Sequence, residues 1–101
     1  MINLLKLRVQ RMIEPKRFYK RPSKLEIALM KDDQVGRCAI CEEILPQDTK
    51  QIHVDHCHKT NIIRGSLCSY CNKGLGFFKD DIQVLEKAIK YLKLEHIQSL
   101  I

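Results

Sequence analysis

Two Cys-x-x-Cys pairs, Cys38/Cys41 and Cys68/Cys71, constrain this chain more than any other feature of its sequence. Each pair offers two thiolates from one tight turn, and four thiolates complete the tetrahedral shell of a structural zinc site. Such an ion joins segments that are distant in sequence and adds folding free energy to a small domain. Because an all-sulfur shell leaves no position for water, the predicted zinc is structural, and any chemistry must come from other residues.

The chain length and the N-terminus limit the class of protein. At 101 residues the chain fits one domain, whose core is small enough to benefit from a bound metal. The five cysteines could instead form disulfides in a secreted protein, but the first residues lack the apolar stretch and cleavage site of a signal peptide. We therefore expect an intracellular protein. No run approaches the roughly 18 apolar residues of a membrane span, so we expect no membrane partner.

Positive charge is concentrated in the first third of the chain. The 18 Lys and Arg residues outnumber the 12 Asp and Glu residues, for a net charge of +6. Residues 1–31 hold nine of the basic residues and two of the acidic ones, whereas the remainder is close to neutral. A basic arm on a near-neutral body is typical of proteins that follow nucleic-acid phosphates. A solvated basic face without a partner is the alternative.

The N-terminal part, residues 1–35, is predicted to be a basic helical arm. Apolar spacing favours a helix over residues 2–13, and residues 14–22 are an irregular basic segment. Phe18 and Tyr19 in that segment either stack on bases or pack on the body, and packing is favoured. Ser23 and Glu26 form a capping-box pattern that predicts a helix to about Gln34, ended by Gly36.

The second part, residues 36–101, is predicted to be a zinc-bound domain of α+β class with a C-terminal helix. Strands are expected at residues 51–56 and 60–65, joined by a connection at 59–61 in which Asn61 tolerates a turn conformation. Helices are expected at 68–77 and from Asp80/Asp81 to about residue 98. The apolar stripe of the last helix is interpreted as a core face. A self-pairing helix would show similar spacing, so monomer and homodimer both remain open.

An Asp/His/Asn set lies between the cysteine pairs. A hydrolase that cuts phosphodiesters without a covalent intermediate needs a base for water, a cation on the phosphate and ligands for that cation. His56 is the candidate base, and Asp55 and Asn72 are candidate oxygen ligands for a hard divalent ion. On a strand Asp55 and His56 face opposite sides, unless the strand end bends. The alternative is a set of exposed polar strand residues.

Cys57, which lies between His56 and His58, breaks the even cysteine count. A second zinc site of His56, Cys57 and His58 is the alternative, but neighbouring strand residues point to opposite faces and make a poor chelate. We interpret Cys57 as a packing residue.

These motifs resemble the recombination endonuclease VII family of phage nucleases, a branch of the His-Me finger (ββα-metal, HNH-like) nucleases. The resemblance covers about residues 36–92. It depends on the following segments: Gly36–Cys41, Val54–Thr60, Ile63–Gly76, Ala88 and Tyr91–Leu92.

The resemblance implies a zinc-bound ββα core that cuts DNA with magnesium, and residue roles to match. It implies that the four paired cysteines bind zinc, that Asp55 and Asn72 hold the catalytic ion, and that His56 is the general base. His58 matches a second motif histidine that steadies the phosphate or leaving group, and His53 falls where a further active-site histidine occurs.

Two positions depart from the family pattern. Cys57 replaces an aspartate, and Leu75 stands where a relative has an acidic residue near the metal. The expected function is a DNA endonuclease with structural Zn²⁺ and catalytic Mg²⁺, or Mn²⁺ in its place, acting on branched DNA or as a nicking enzyme. Arg64, Lys73 and the basic arm would hold the DNA backbone. The expected location is intracellular, the host cytoplasm if the protein is phage-encoded. The rival is a non-catalytic zinc-knuckle module that binds nucleic acid.

Overall fold

The structure is a computed structural model that describes residues 16–99, with side chains to residue 95. In chain order it contains α1 (Lys24–Asp33), a short 3-10 helix (Thr49–Gln51), β1 (His53–His56), β2 (Ile63–Leu67), α2 (Ser69–Phe77) and α3 (Ile82–Ser99). This is the small α+β fold that the sequence predicts. The helix predicted at residues 2–13 lies outside the described residues.

Helix α1 begins and ends where its sequence signals predict. The Ser23 hydroxyl accepts from the Glu26 N–H at 3.2 Å, and the Glu26 carboxylate accepts from the Ser23 N–H at 3.1 Å. This reciprocal pair is the capping box. At the other end Val35 and Gly36 both adopt positive φ, 55° and 70°, and the Gly36 N–H donates to Lys31 O at 2.8 Å. The helix therefore closes with a left-handed turn in which valine occupies the first position.

Strands β1 and β2 pair antiparallel, but both begin later than predicted. Residues 49–51 form the 3-10 helix, so β1 starts at His53. The hairpin connection is longer than three residues, because the Asn61 N–H donates to Cys57 O at 2.7 Å and the Cys57 N–H donates to Ile62 O at 2.8 Å. Residues 60–62 therefore belong to the turn, and β2 runs from Ile63 to Leu67. Asn61 has the predicted turn conformation, with φ of 59°.

The hairpin contains a bulge beside the predicted catalytic residues. Asp55 pairs with Gly65, whereas His56 pairs with Ile63, so Arg64 is the extra residue on β2. A bulge bends its strand and redirects a side chain. The irregularity that the sequence analysis allowed at this end of β1 is therefore present.

The core lies between α1, the hairpin and the first cysteine pair. Its buried apolar side chains, within the described residues, are Ile27, Met30, Cys38, Leu45, Ile52, Val54, Ile63 and Leu67. Helix α1 thus contributes two residues to the core, and Tyr19, Cys68, Cys71 and Leu75 pack against it. The division of the chain at residue 35 stays a prediction.

The prediction that α3 presents a core face is wrong. Its cap is as predicted, since the Asp81 carboxylate accepts from the N–H groups of Gln83 and Val84 at 2.9 and 3.2 Å. However, Ile82 and Leu92 are each 71% exposed, and only Leu85 and Ala88 are half-buried. The two-stranded sheet is too small to cover more than the first turns of an 18-residue helix.

Candidate functional site

The four paired cysteines come together at one end of the hairpin. The Sγ atoms of Cys38, Cys41, Cys68 and Cys71 all lie within 4.8 Å of one another, and those of Cys41 and Cys68 are 3.7 Å apart. Sulfur atoms on a tetrahedral zinc ion stand about 3.8 Å apart, because each Zn–S bond is about 2.3 Å long. The cluster therefore fits a metal ion such as zinc, as the sequence predicts.

Local structure prepares this cluster for a cation. Burial raises the pKa of the Cys38 thiol, but N–H groups of Cys68, Cys41 and Ile40 donate to its sulfur and bring the pKa down to about 6. Burial and the neighbouring sulfurs raise the pKa of Cys71 to about 12. One thiolate thus opposes ionisation of the next. A bound cation would relieve this repulsion, since metals take cysteine as the thiolate.

The second cysteine pair links the cluster to α2. Cys68 is the N-cap of α2, and its sulfur accepts from the Cys71 N–H at 3.4 Å. Asn72 is the next residue on this first turn. A metal ion in the cluster would therefore fix the start of α2, and with it Asn72, against β2 and against the first knuckle, which is the turn that contains Cys38 and Cys41.

Asn72 contacts His53 of β1. The distance between Asn72 Nδ2 and His53 Nδ1 is 3.3 Å. This orientation leaves the Asn72 carbonyl oxygen without a hydrogen bond among the described residues. The oxygen is the atom that a hard cation would use.

Asp55 is held by Arg64 rather than by Asn72. Arg64 Nε lies 2.6 Å from Asp55 Oδ2, and Arg64 Nη2 lies 3.0 Å from Asp55 Oδ1. The same Nη2 lies 2.9 Å from Asp80 Oδ1. These hydrogen bonds raise the pKa of Arg64. Within residues 16–95 no hydrogen bond joins Asp55 to Asn72.

Asp55 and Asn72 nevertheless belong to facing surfaces. His53 and Asp55 alternate along β1 and so share a face, and Asn72 and Leu75 are neighbours on one face of α2. His53 contacts Asn72, and Asp55 and Leu75 line one cavity of about 230 Å³ together with Asp80. A carboxylate keeps free lone pairs after a bidentate ion pair. Asp55 and Asn72 are thus near one another across β1 and α2, and their role as ligands of a divalent ion stays a prediction.

The His56 side chain contacts two aromatic rings. Its imidazole stacks on Tyr19, with ring centroids 3.7 Å apart and planes 9° apart. The His58 ring lies 4.7 Å away at 58°. Burial, and then the charge of His58, lowers the pKa of His56 below its ordinary value of 6.5. The ring is therefore mostly neutral at pH 7, as a general base must be.

Cys57 is half-buried, and its interpretation as a packing residue stays a prediction. Its side chain is outside the buried cluster and lies in the hairpin connection. The hydroxyl and N–H of Thr60 and the N–H of Lys59 donate to its sulfur and lower its pKa. Cys57 is also absent from the four-sulfur cluster, which is the only such group found in the described part of the chain.

Two contacts of the site were missed from the sequence. Tyr19 was expected to pack on the body, but its stacking on His56 was not foreseen. Asp80 and Asp81 together are the predicted N-cap region; Asp81 caps α3, and Asp80, at φ of 57°, accepts from Arg64, a contact that the sequence did not predict. The sequence signal for Asp80 was the presence of two adjacent aspartates where one is enough to cap the helix.

The structure is similar to that of a solved nuclease. It matches the crystal structure of the ββα-Me type II restriction endonuclease Hpy99I with a TM-score of 0.52 and 31% sequence identity. The match covers 89% of this chain and 48% of that chain. The fold is therefore that of the ββα-metal class of nucleases.

The family follows from the sequence comparison. Residues 12–94 match the model of the recombination endonuclease VII family. Because this match spans most of the chain, the protein belongs to that family, and the resemblance drawn from its motifs is confirmed.

Two phage proteins are similar in sequence to more than half of this chain. The chain is 49% identical over 61 residues to the Gene 59 protein of Mycobacterium phage D29, and 48% identical over 60 residues to that of phage L5. These alignments cover 59% and 58% of this chain and 36% of each relative. The chain thus spans about a third of the length of the curated relatives it matches. Within its described part, no helix is long and apolar enough to cross a membrane.

Proposed function

We propose that this chain is a divalent-metal-dependent DNA endonuclease that hydrolyses phosphodiester bonds with an activated water molecule. The observation that carries the proposal is the position of Asp55 and Asn72 on facing surfaces of β1 and α2, with Asp55 directly before His56 and Asn72 directly after Cys71 of the cysteine cluster. Membership of an endonuclease family and likeness to a restriction endonuclease support it.

Each residue of the set has one task in this proposal. Cys38, Cys41, Cys68 and Cys71 hold structural Zn²⁺, which fixes α2 against the hairpin. Asp55 and Asn72 hold Mg²⁺, or Mn²⁺ in its place. When bound, this ion supplies positive charge to the scissile phosphate and the leaving oxygen.

The two histidines act on the reacting groups. The neutral imidazole of His56 takes a proton from the attacking water. His58, whose ring contacts that of His56, steadies the phosphate or the leaving group. His53 orients Asn72 through their 3.3 Å contact.

DNA contacts come from the basic surface around this site. Lys73 is exposed on α2, and the exposed basic side chains of Lys16, Arg17 and Lys20 lie on the segment that crosses the hairpin connection. Contacts with phosphates favour shape and charge over base sequence, so affinity should fall steeply with salt. Arg64 is already engaged by two carboxylates, and would reach a phosphate only if it released one of them.

The rival function is a zinc module that binds nucleic acid without cutting it. Neutralisation of Asp55 by Arg64 is the observation that favours it, because a paired carboxylate opposes phosphate less. Zinc content cannot separate the two functions, since both require the cysteine cluster.

The deciding experiment is cleavage of supercoiled plasmid and of a synthetic four-way junction. Zinc-loaded protein is assayed with Mg²⁺, with Mn²⁺ and with neither, since a strong chelator would also strip the zinc. We expect ion-dependent cutting that His56→Ala abolishes while DNA binding persists. His56→Phe is the matched variant, because it keeps a ring against Tyr19 and removes the base. Binding without cutting of either substrate would establish the rival.

The same assay addresses the finer proposals. Preference for the junction indicates a resolvase, and nicking of plasmid indicates a duplex-directed enzyme. Sedimentation of the protein with and without DNA decides between monomer and homodimer. The phage relatives suggest action inside the infected cell, in the host cytoplasm if the gene is a phage gene.

A further inference from the structure

The segment before α1 crosses the hairpin and places one aromatic ring on the candidate base. Tyr19 is half-buried against the core, and its ring lies 3.7 Å from the His56 ring with only 9° between the planes. This is close, nearly parallel stacking. Its neighbour Phe18 is 74% exposed, and the Arg17 guanidinium lies 5.4 Å from its ring centroid. The stack is therefore a property of Tyr19 and not of the aromatic pair.

Two sets of hydrogen bonds fix the backbone on either side of Tyr19. On one side the Lys16 N–H donates to Thr60 O at 3.0 Å, and Asn61 Nδ2 donates to Lys16 O at 2.9 Å. On the other side Arg21 Nη2 donates to Thr49 O at 3.0 Å and to Ile52 O at 3.2 Å. The segment is thus anchored at both ends of β1, and Tyr19 lies between the anchors.

The stack is the main restraint on the His56 ring. A histidine that acts as a base is usually oriented by a hydrogen bond to its second ring nitrogen. Here no hydrogen bond from residues 16–95 reaches either ring nitrogen of His56, and the ring contacts are those with Tyr19 and His58. Stacking fixes the plane of the imidazole while leaving both nitrogens at its edge free for water.

We propose that Tyr19 is a positioning residue for His56, and that its ring holds the imidazole in the plane from which it takes the proton of the attacking water. This inference rests on the proposed function, in which His56 is the base. The Tyr19 hydroxyl has no hydrogen bond among the described residues, so the ring alone carries the role.

Three variants of Tyr19 separate ring stacking from other contributions. Tyr19→Phe keeps the ring, Tyr19→Leu keeps apolar packing without a ring, and Tyr19→Ala removes both. Phe18→Ala is the matched control, because it removes a neighbouring ring that does not touch the site. All are compared as full-length, zinc-loaded protein with equal helix content by circular dichroism.

The kinetic result expected is a fall in kcat of about three- to tenfold for Tyr19→Leu and Tyr19→Ala, with KM for DNA little changed. Tyr19→Phe and Phe18→Ala should retain the wild-type kcat. If Tyr19→Leu cuts as fast as wild type, Tyr19 only packs and the proposal fails. It also fails if Tyr19→Phe is as slow as Tyr19→Ala, since the hydroxyl would then be responsible.

Proton NMR of the His56 ring tests the stack without any need for cleavage. Ring protons above an aromatic face are shifted upfield, so wild type and Tyr19→Phe should share His56 shifts that Tyr19→Leu and Tyr19→Ala lose. Identical shifts in all four proteins would overturn the proposal. If the shifts behave as expected but wild type cuts no DNA, the stack exists and the proposed nuclease function is what fails, taking the positioning role with it.

Discussion

Arg64 binds both carboxylate oxygens of Asp55, with Nε 2.6 Å from Oδ2 and Nη2 3.0 Å from Oδ1. The candidate metal ligand is only 12% exposed and already carries a cation at its side. The β2 bulge makes this contact possible, because Arg64 is the residue without a partner on β1. A divalent ion at Asp55 must therefore bind in the presence of a nearby positive charge.

The charge of Arg64 should weaken ion binding at Asp55. Removing one positive charge near a divalent ion removes electrostatic repulsion and makes binding more favourable. Arg64→Gln should therefore bind Mn²⁺ about five- to tenfold more tightly. Asp80→Asn is the opposing control, because it removes a negative charge and leaves Asp55 as the remaining carboxylate paired with Arg64. It should bind Mn²⁺ less tightly than wild type. Calorimetric titration with Mn²⁺ measures both. Weaker binding by Arg64→Gln would mean that Arg64 mainly orients the carboxylate.

The cysteine cluster should determine whether the domain folds. Only eight apolar side chains are buried in the described part of the chain, so we expect metal binding to supply a large share of the folding free energy. We expect one Zn²⁺ per chain, and loss of most helical circular dichroism when a chelator removes it. Cys41→Ser should lose the metal and unfold in the same way.

Cys57→Ser is the matched control for that experiment. Its sulfur lies in the hairpin connection and outside the cluster, so zinc content and the unfolding midpoint should stay close to wild type. Loss of zinc in Cys57→Ser would show that Cys57 is a ligand after all.

The pH dependence of cleavage should report His56. Burial and the charge of His58 lower its pKa below 6.5, so the neutral base predominates at pH 7. Activity should be flat near neutral pH and fall as the pH drops through that lowered pKa. The native state also binds this proton less readily than the unfolded chain, so stability declines over the same acid range. Circular dichroism at each pH separates lost activity from lost structure, and an activity plateau that begins only above pH 7 would contradict the prediction.

The turn after α1 contains a valine where the backbone favours glycine. Val35 has φ of 55° and is 80% exposed, so its side chain gains little packing to offset the strain of a β-branched residue there. Val35→Gly should raise the free energy of unfolding by up to about 1 kcal/mol. Gly36→Ala is the paired test. Its φ is 70° and open space surrounds the added Cβ, so it should lose about 1 kcal/mol through backbone strain alone. Urea unfolding measures both, and equal effects of the same sign would contradict this account.

Local signals predicted the parts of this fold that depend on neighbouring residues. The capping box joins Ser23 and Glu26, three residues apart, the turn conformation of Asn61 depends on that residue itself, and each cysteine pair lies in one short turn. Sequence alone was therefore sufficient to predict these features. The contacts Arg64 with Asp80 and Tyr19 with His56 join residues 16 and 37 positions apart, and no periodicity encodes them. The spacing of apolar residues on α3 predicted an apolar face, but it could not show whether other parts of the protein bury that face. Strand ends were misplaced because turn hydrogen bonds, which the sequence does not display, extend the hairpin connection.

Gln34 offers a final test of how α1 is joined to the site. Its Nε2 donates to Arg37 O at 2.8 Å and to Ser66 O at 2.9 Å, and its Oε1 accepts from the Ser66 N–H at 2.8 Å. The amide thus bridges the end of α1, the first knuckle and β2. Gln34→Glu keeps the size of the side chain but removes both donors, and should lower the free energy of unfolding by about 1–3 kcal/mol. Gln51→Glu, at an exposed glutamine, is the control and should change it little. Equal losses in the two variants would mean that charge, and not the Gln34 bridge, is responsible.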